Sequence, residues 1–293
     1  MFIPPTSQQM YDHGYLVLSL GGTQAANAFD FGSEAIATIS STVSARASSI
    51  PFNSSTKGYL AGGITAATFN LIDGLRFADA SGFTSSATLS HSQYGGHGVS
   101  SALKGYVAGG QDDVGVLTSI DALVFSTDAL STIAATISST VTREPGGFGN
   151  FTQGYATCLS GGEVEKLTYA TEAVTGSIAT GFGSGTIQVA TFNSPLAGYA
   201  AGCSSIASTR IDKLVFSSDT TSTLTATLSA ARGAAGGSLN TGAKGYVCGG
   251  YNQDTATSSA EIDGIEFSGE TAINPAAALS TAERWVGVQG GWL

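Results

Sequence analysis

Three histidines, His13, His91 and His97, come first in a search for chemistry, because imidazole serves as general base and as metal ligand. His91 and His97 stand six apart around Ser92-Gln93-Tyr94-Gly95-Gly96, and no further ligand accompanies them at metal-site spacing. Cys158, Cys203 and Cys248 are odd in number and widely spaced, so they read as small buried hydrophobes rather than a disulfide framework or metal cluster. The segment Gly181-Phe182-Gly183-Ser184-Gly185 lacks the Lys of a phosphate loop, and there is no Gly-x-Ser-x-Gly elbow. What remains is two polar inserts, Gln111-Asp112-Asp113-Val114-Gly115-Val116 and Tyr251-Asn252-Gln253-Asp254-Thr255. A Tyr ring can stack on a sugar face while carboxylates and amides pair its hydroxyls. Asp112, Asp113, Tyr251, Asn252 and Asp254 are therefore the candidate ligand-binding residues, with plain solvated loops as the alternative. No catalytic residue, metal ligand or cofactor is expected.

Composition narrows the partners. Only 11% of the 293 residues are charged, 42% are hydrophobic and 40 are glycine, which favours short strands and tight turns over surface helices rich in Lys and Glu. The net charge of −10 reflects 11 basic residues against 21 acidic ones, so no electrostatic footprint for nucleic acid exists. An anionic membrane would repel the chain, and no apolar run is long enough to span a bilayer. Residues 1–10 carry no basic n-region or apolar h-region and do not read as a secretory signal.

The elements that must position the inserts emerge from an internal repeat. Gly-Tyr recurs at Gly14, Gly58, Gly105, Gly154, Gly198 and Gly245, at intervals of 44, 47, 49, 44 and 47 residues, and five copies run on to Gly-Gly. A second landmark follows, as in Ile72-Asp73-Gly74-Leu75-Arg76-Phe77, Ile120-Asp121-Ala122-Leu123-Val124-Phe125, Ile211-Asp212-Lys213-Leu214-Val215-Phe216 and Ile262-Asp263-Gly264-Ile265-Glu266-Phe267. Copy four reads Val164-Glu165-Lys166-Leu167-Thr168-Tyr169, and copy one Ala26-Asn27-Ala28-Phe29-Asp30-Phe31. Ten residues after each closing aromatic comes a third landmark, such as Ala87-Thr88-Leu89-Ser90 or Ala226-Thr227-Leu228-Ser229, with turn signals between. This predicts a two-stranded hairpin between the second and third landmarks. Glycines let strands near an axis approach, and the recurrent Tyr and Phe fill the wedge between units. The repeated Asp is expected to tie a turn or cap a strand end; a ring of carboxylates around a cation is the alternative. The distance from Gly-Tyr to the Ile-Asp landmark varies from 10 to 17 residues, marking a loop-rich face on a constant scaffold.

These landmarks resemble kelch repeats, the four-stranded blades of one class of β-propeller. The aliphatic-Gly-Gly strand, the downstream aromatic and a further apolar residue after a short turn (Phe83) carry the resemblance over residues 14–293. Arg46, Arg143, Arg232 and Arg284 resemble the Arg that opens the next kelch unit, and they read as structural. The late Trp of typical kelch units is missing. The resemblance implies an all-β, six-bladed kelch-like β-propeller, with residues 285–289 and Gly14-Tyr15 supplying adjacent strands of one shared blade. The copper site of galactose-oxidase-like relatives, with paired Tyr, two His and a Cys-Tyr link, has no match here, nor has a sialidase-like Arg triad with its nucleophilic Tyr.

Few charges, small polar side chains and a short irregular arm also resemble structural proteins of tailed bacteriophages. That resemblance implies a non-enzymatic virion or tail-fibre component, assembled in host cytoplasm. Residues 1–13, with Phe2, Ile3, Pro4, Pro5, Met10 and Tyr11, would be an arm docking to other virion proteins, and the propeller at 14–293 would meet a host surface glycan. An intracellular or exported kelch-type protein-interaction module, cytoplasmic in the first case, is the alternative. A carbohydrate-active propeller enzyme is the third.

Overall fold

The computed structural model describes residues 13–18, 25–40, 43–44, 46–138, 146–159, 162–179, 182, 189–203, 208–233, 237–252, 254–283 and 286–289. Within them there is no α-helix, and the strands form six antiparallel sheets. Blade 2 shows the plan from the axis outward: Ile50–Asn53, Lys57–Ala61, Leu71–Arg76 and Gly82–Thr88. Blade 3 is His97–Ser100, Lys104–Gln111, Val116–Val124 and Ala129–Thr132. Blade 4 is Gly147–Gly149, Gln153–Leu159, Glu163–Thr168 and Ala173–Ala179. Blade 5 is Ala190–Asn193, Ala197–Ala201, Ile211–Val215 and Thr220–Thr223. Blade 6 is Gly237–Asn240, Lys244–Asn252, Thr257–Glu266 and Thr271–Ile273, with Ala278–Glu283 added against the long third strand.

Blade 1 is shared by distant parts of the chain, as the repeat implies. Val286–Gln289 lies innermost, followed by His13–Leu18, Ala25–Asp30 and Ile36–Ser40. Tyr15 faces Gln289 and Leu18 faces Val286 across the closing ladder. The innermost strands neighbour one another in ring order, the closing strand sitting between Gly237–Asn240 and Ile50–Asn53. The expected arm at residues 1–13 lies outside the described residues except for His13, which already pairs with Asp30.

The Gly-Tyr strand is second from the axis, not beside it. The innermost strand instead precedes it and alternates buried with half-buried positions, as in Ile50, Pro51, Phe52 and Asn53. Its third residue is a knob for the next blade. A Cβ on Gly105 would overlap the Phe52 ring, one on Gly198 the Phe148 ring, and one on Gly245 the Phe192 ring. Glycine is demanded there by close approach, since any side chain would force neighbouring blades apart.

The Tyr beside that glycine stacks on the closing aromatic of the next blade at all six junctions. The pairs are Tyr15–Phe77, Tyr59–Phe125, Tyr106–Tyr169, Tyr155–Phe216, Tyr199–Phe267 and Tyr246–Phe31, with centroids 5.2–6.1 Å apart and ring planes within 25°. Each such pair contributes roughly 0.5–1.5 kcal/mol beyond its area burial. The wedge-filling role read from the repeat is what the rings do.

The third landmark departs from the expected hairpin. It follows the outermost strand in blades 3 and 5, where residues 135–138 and 226–229 are outside any strand. Its apolar residue plugs the core between blades: Val43, Leu89, Ile137, Phe182, Leu228 and Leu279 are all at most 5% exposed. Its Ser then crosses to the Asp of the next blade.

Candidate binding face

Four of the five repeated acids, Asp73, Asp121, Glu165 and Asp263, are consumed at blade junctions. Ser90 donates its N–H and hydroxyl to Asp121 Oδ2 at 2.8 and 2.9 Å, and Ser229 does the same to Asp263 Oδ2 at 3.0 Å. Ser44 N–H donates to Asp73, Ser138 to Glu165, and Ser280 to Asn27 Oδ1. Blade 4 carries Phe182 in place of this Ser region, and Asp212 is held by Thr223 Oγ1 and Arg210 Nε, both at 2.7 Å. The expectation that this residue ties a turn becomes, in every copy but Asp212, a tie between blades.

The repeat arginines strengthen the same junctions. Buried Arg46 forks onto Asp73 through Nη1 and Nη2 at 2.9 and 2.7 Å and donates Nε–H to the Gly62 carbonyl. Arg232 pairs with Asp263 at 2.7 Å and Glu261 at 3.2 Å. Gln93 substitutes for the Arg after copy two, donating Nε2–H to the Gly109 carbonyl at 2.8 Å. Arg143 and Arg284 lie outside the described residues.

The opposite end of each blade has its own ties. The residue three past every closing aromatic, Glu34, Ala80, Asp128, Glu172, Asp219 and Glu270, has φ between 50° and 55°. Five are acidic, and four of those take a Lys of the preceding blade: Lys244–Glu34, Lys104–Glu172, Lys166–Asp219 and Lys213–Glu270. The hydroxyls of Tyr246, Tyr106 and Tyr155 donate to Glu34, Glu172 and Asp219. Burial and then the adjacent carboxylates push these phenols up, away from ionisation.

The face that carries the variable connections holds Arg46, Arg210 and Arg232 in pairs with carboxylates. Its two inserts are tips of elongated hairpins. In blade 3 the strands run on beyond Gly-Gly, through a bulge, until Gln111 faces Val116. In blade 6 they run on until Asn252 faces Thr257. Blades 3 and 6 stand three steps apart in the ring of six, so the five candidate residues form two stations rather than one pocket.

At the first station Asp112 Oδ1 accepts the Val114 and Gly115 N–H groups at 2.8 and 2.7 Å, and His91 stands 4.0 Å from its Oδ2. The Gly115 and Val114 amides hold the Asp112 carboxyl below its ordinary range. Asp113 accepts from Thr68 of blade 2 at 3.3 Å, and Tyr94 donates to Gln111 at 3.0 Å. At the second station Asn252 Oδ1 takes the Asp254 and Thr255 N–H groups, and its Nδ2 donates to the Ala231 carbonyl at 2.9 Å. Tyr251 is half-buried in a backbone bridge to Gly233, and Asp254 is exposed.

Thr68, His91, Tyr94 and Gln111 join the first station without having been singled out as sugar ligands. The signal was present: the crossing after Ser90 must land beside the next blade's insert, which brings His91 and Tyr94 there. His97 goes elsewhere. It is fully buried, with Nδ1 2.9 Å from the Gly146 carbonyl, and it lines a small cavity between blades 3 and 4 with Val99, Ile120, Ala156 and Glu165. Cys203 and Cys248 are buried thiols, and the side chain of Cys158 lies outside the described residues.

No protein-family model matches this chain, and no curated protein matches it in sequence.

Proposed function

We propose that this chain is a non-enzymatic binding propeller of kelch-like type, carried on a phage virion or tail fibre, whose loop face meets a host surface glycan. The observation that carries the reading is how the charged groups are distributed. Asp73, Asp121, Glu165, Asp263, Arg46 and Arg232 are buried in blade ties, while Asp112, Asp113 and Asp254 stand on projecting hairpins beside Tyr94 and Tyr251. Six of the charged groups are spent on the scaffold, and the carboxylates that reach outward offer shallow hydroxyl-pairing contacts beside aromatic rings. Single sites of this kind bind weakly, so useful affinity comes from many copies on one particle. Assembly onto that particle is the role assigned to residues 1–13.

The test is a glycan array and a host-cell binding assay with multimerised protein. Signal is expected, and replacing residues 111–116 and 251–255 by Gly-Ser of equal length should abolish it. Retained binding after that replacement would move the site off these hairpins. Absence of binding to any glycan or host cell would end the reading.

A second reading, a kelch-type protein-interaction module, is favoured by a different observation. Leu103, Phe151 and Leu196 are exposed on the face opposite the hairpins, as suits a protein partner.

A further inference from the structure

We infer that the junction between blades 2 and 3 is a monovalent-cation site, which takes K⁺ or NH₄⁺ between the Asp128 carboxylate and the Tyr59 hydroxyl. The inference concerns the face opposite the elongated hairpins and stands independently of the virion and glycan reading.

Four other junctions supply the pattern. Each sets an acid, Glu34, Glu172, Asp219 or Glu270, on the left-handed turn of one blade and a lysine ammonium of the preceding blade against it. In three of them the stacked Tyr also donates its hydroxyl to that acid. Asp128 occupies the same turn at φ 54°, three residues past Phe125, and Phe125 stacks on Tyr59 at 5.4 Å as its counterparts do. Yet Asp128 Oδ1 and the Tyr59 hydroxyl are both buried without a hydrogen-bond partner, and Tyr59 is 0% exposed. Burial and then the Asp128 charge push the Tyr59 phenol up to about 12, which puts that charge within reach of the hydroxyl. The Ser54 hydroxyl, which opposes the shift, is spent on its own turn, accepting the Thr56 and Lys57 N–H groups at 3.3 and 3.1 Å.

The two positions that supply a lysine elsewhere fail here for separate reasons. Two junctions use a lysine facing the Tyr across the ladder, Lys166 against Tyr155 and Lys213 against Tyr199. Gly74 holds that position against Tyr59, and a Cβ there would stand 1.9 Å from the Gly58 carbonyl oxygen, so no lysine fits. The other two use the residue before Gly-Tyr, Lys104 and Lys244. Its counterpart Lys57 places Nζ 5.0 Å from the centroid of the Phe83 ring instead. Phe83 packs edge-on against Tyr59 at 5.2 Å and also carries the Arg76 guanidinium at 5.4 Å, so a single ring engages two cations. What is left is a buried carboxylate oxygen and a phenol oxygen at the point that other junctions build around an ammonium. Leaving that carboxylate unpaired carries a desolvation cost, which a bound cation offsets. One carboxylate falls short of the about six to eight oxygens that Ca²⁺ takes and of the octahedron Mg²⁺ demands. K⁺ and NH₄⁺ match the lysine ammonium in charge and approximate size.

Thermal unfolding of the full chain in potassium, ammonium and tetramethylammonium chloride at equal ionic strength tests this. K⁺ and NH₄⁺ should raise the midpoint in a saturable way, and the bulky cation should not. Asp128→Asn keeps the left-handed turn, which asparagine accepts readily, and should remove the difference between the salts. Lys57→Met should preserve it. In crystals grown with Rb⁺, anomalous scattering should place the ion between Asp128 Oδ1 and the Tyr59 hydroxyl in the wild type and not in Asp128→Asn. Absence of Rb⁺ from that point would overturn the inference, as would a salt difference that survives Asp128→Asn. Equal midpoints in all three salts would mean binding at crystal concentration only and would overturn it as well. A salt difference seen in Lys57→Met but not in the wild type would make the Lys57 ammonium the occupant, which also ends the cation assignment.

Discussion

Glu34 accepts the Tyr246 hydroxyl at 2.9 Å and stands 2.6 Å from Lys244 Nζ, joining blade 6 to blade 1 across 212 residues of chain. Lys244 and then, against the cost of burial, Tyr246 hold the Glu34 carboxyl below its ordinary range. A depressed folded pKa means the stabilisation is present above the unfolded value of about 4.5 and is lost as pH falls through the folded value. The partly exposed tie contributes about 0.5–1 kcal/mol. Glu34→Gln should lower stability near neutral pH by that amount and flatten the acid limb below pH about 4.5; urea midpoints that track wild type across pH would contradict this.

His97 gives a second, separable window. Burial pushes its pKa down to about 4, opposed by the Gly146 carbonyl contact. Between about 6.5 and 4 the unfolded chain binds the extra proton, so stability falls as pH drops through that interval, by an amount of order 3 kcal/mol. His97→Asn should remove this slope. An unchanged slope in the variant would show that other groups produce it.

The Arg46–Asp73 pair is 1% and 2% exposed at its side chains. Asp73→Ala strands a buried guanidinium and should cost about 3–5 kcal/mol. The double variant Arg46→Met/Asp73→Leu should recover part of that loss, because no uncompensated charge remains. Thermal unfolding of both variants decides it, and a double variant less stable than the single would sink the account.

Glycine substitutions should split by location. Gly198→Ala drives a methyl into the Phe148 ring, whereas Gly115→Ala meets nothing within 4 Å. The first should lose about 1–3 kcal/mol or more, and the second should fall within about 0.5 kcal/mol of wild type. Similar melting shifts for the two would argue against the knob packing.

Deleting residues 284–293 removes the strand that covers Tyr15–Leu18 and leaves an open ladder edge. Aggregation or loss of cooperative unfolding is expected. A soluble truncated protein with an unchanged melting point would refute the shared blade.

Much of this architecture was legible in the sequence because its strongest signals are backbone requirements repeated at fixed spacing. Gly198 and Gly245 admit no other residue, so they recur and betray the blade. The shared blade followed from counting strands at the two ends. The role of Ser90 was not legible, because its constant offset from Asp73 of its own repeat looks like strand pairing until the ring closes and Ser90 is seen to bond Asp121 instead. The acid at Glu34, Glu172 and Glu270 was visible at a fixed offset from each aromatic, but its left-handed turn hides its purpose, since glycine or asparagine is the usual signal for that conformation. The binding stations were least legible. Asp112 and Asn252 were chosen for what they could offer a ligand, and the fold gives part of that capacity to their own turns.

The partnership of Tyr15 with Gln289 has a consequence for biosynthesis. At about 5–20 residues per second, the ribosome makes the two sides of this ladder on the order of tens of seconds apart. Through that interval five blades can assemble beside an unpaired edge at the first. Neighbouring nascent chains on one messenger present that edge to one another, and the innermost strand of one chain fits the gap in the next. The same step that finishes a monomer is thus the one at which two chains can exchange strands.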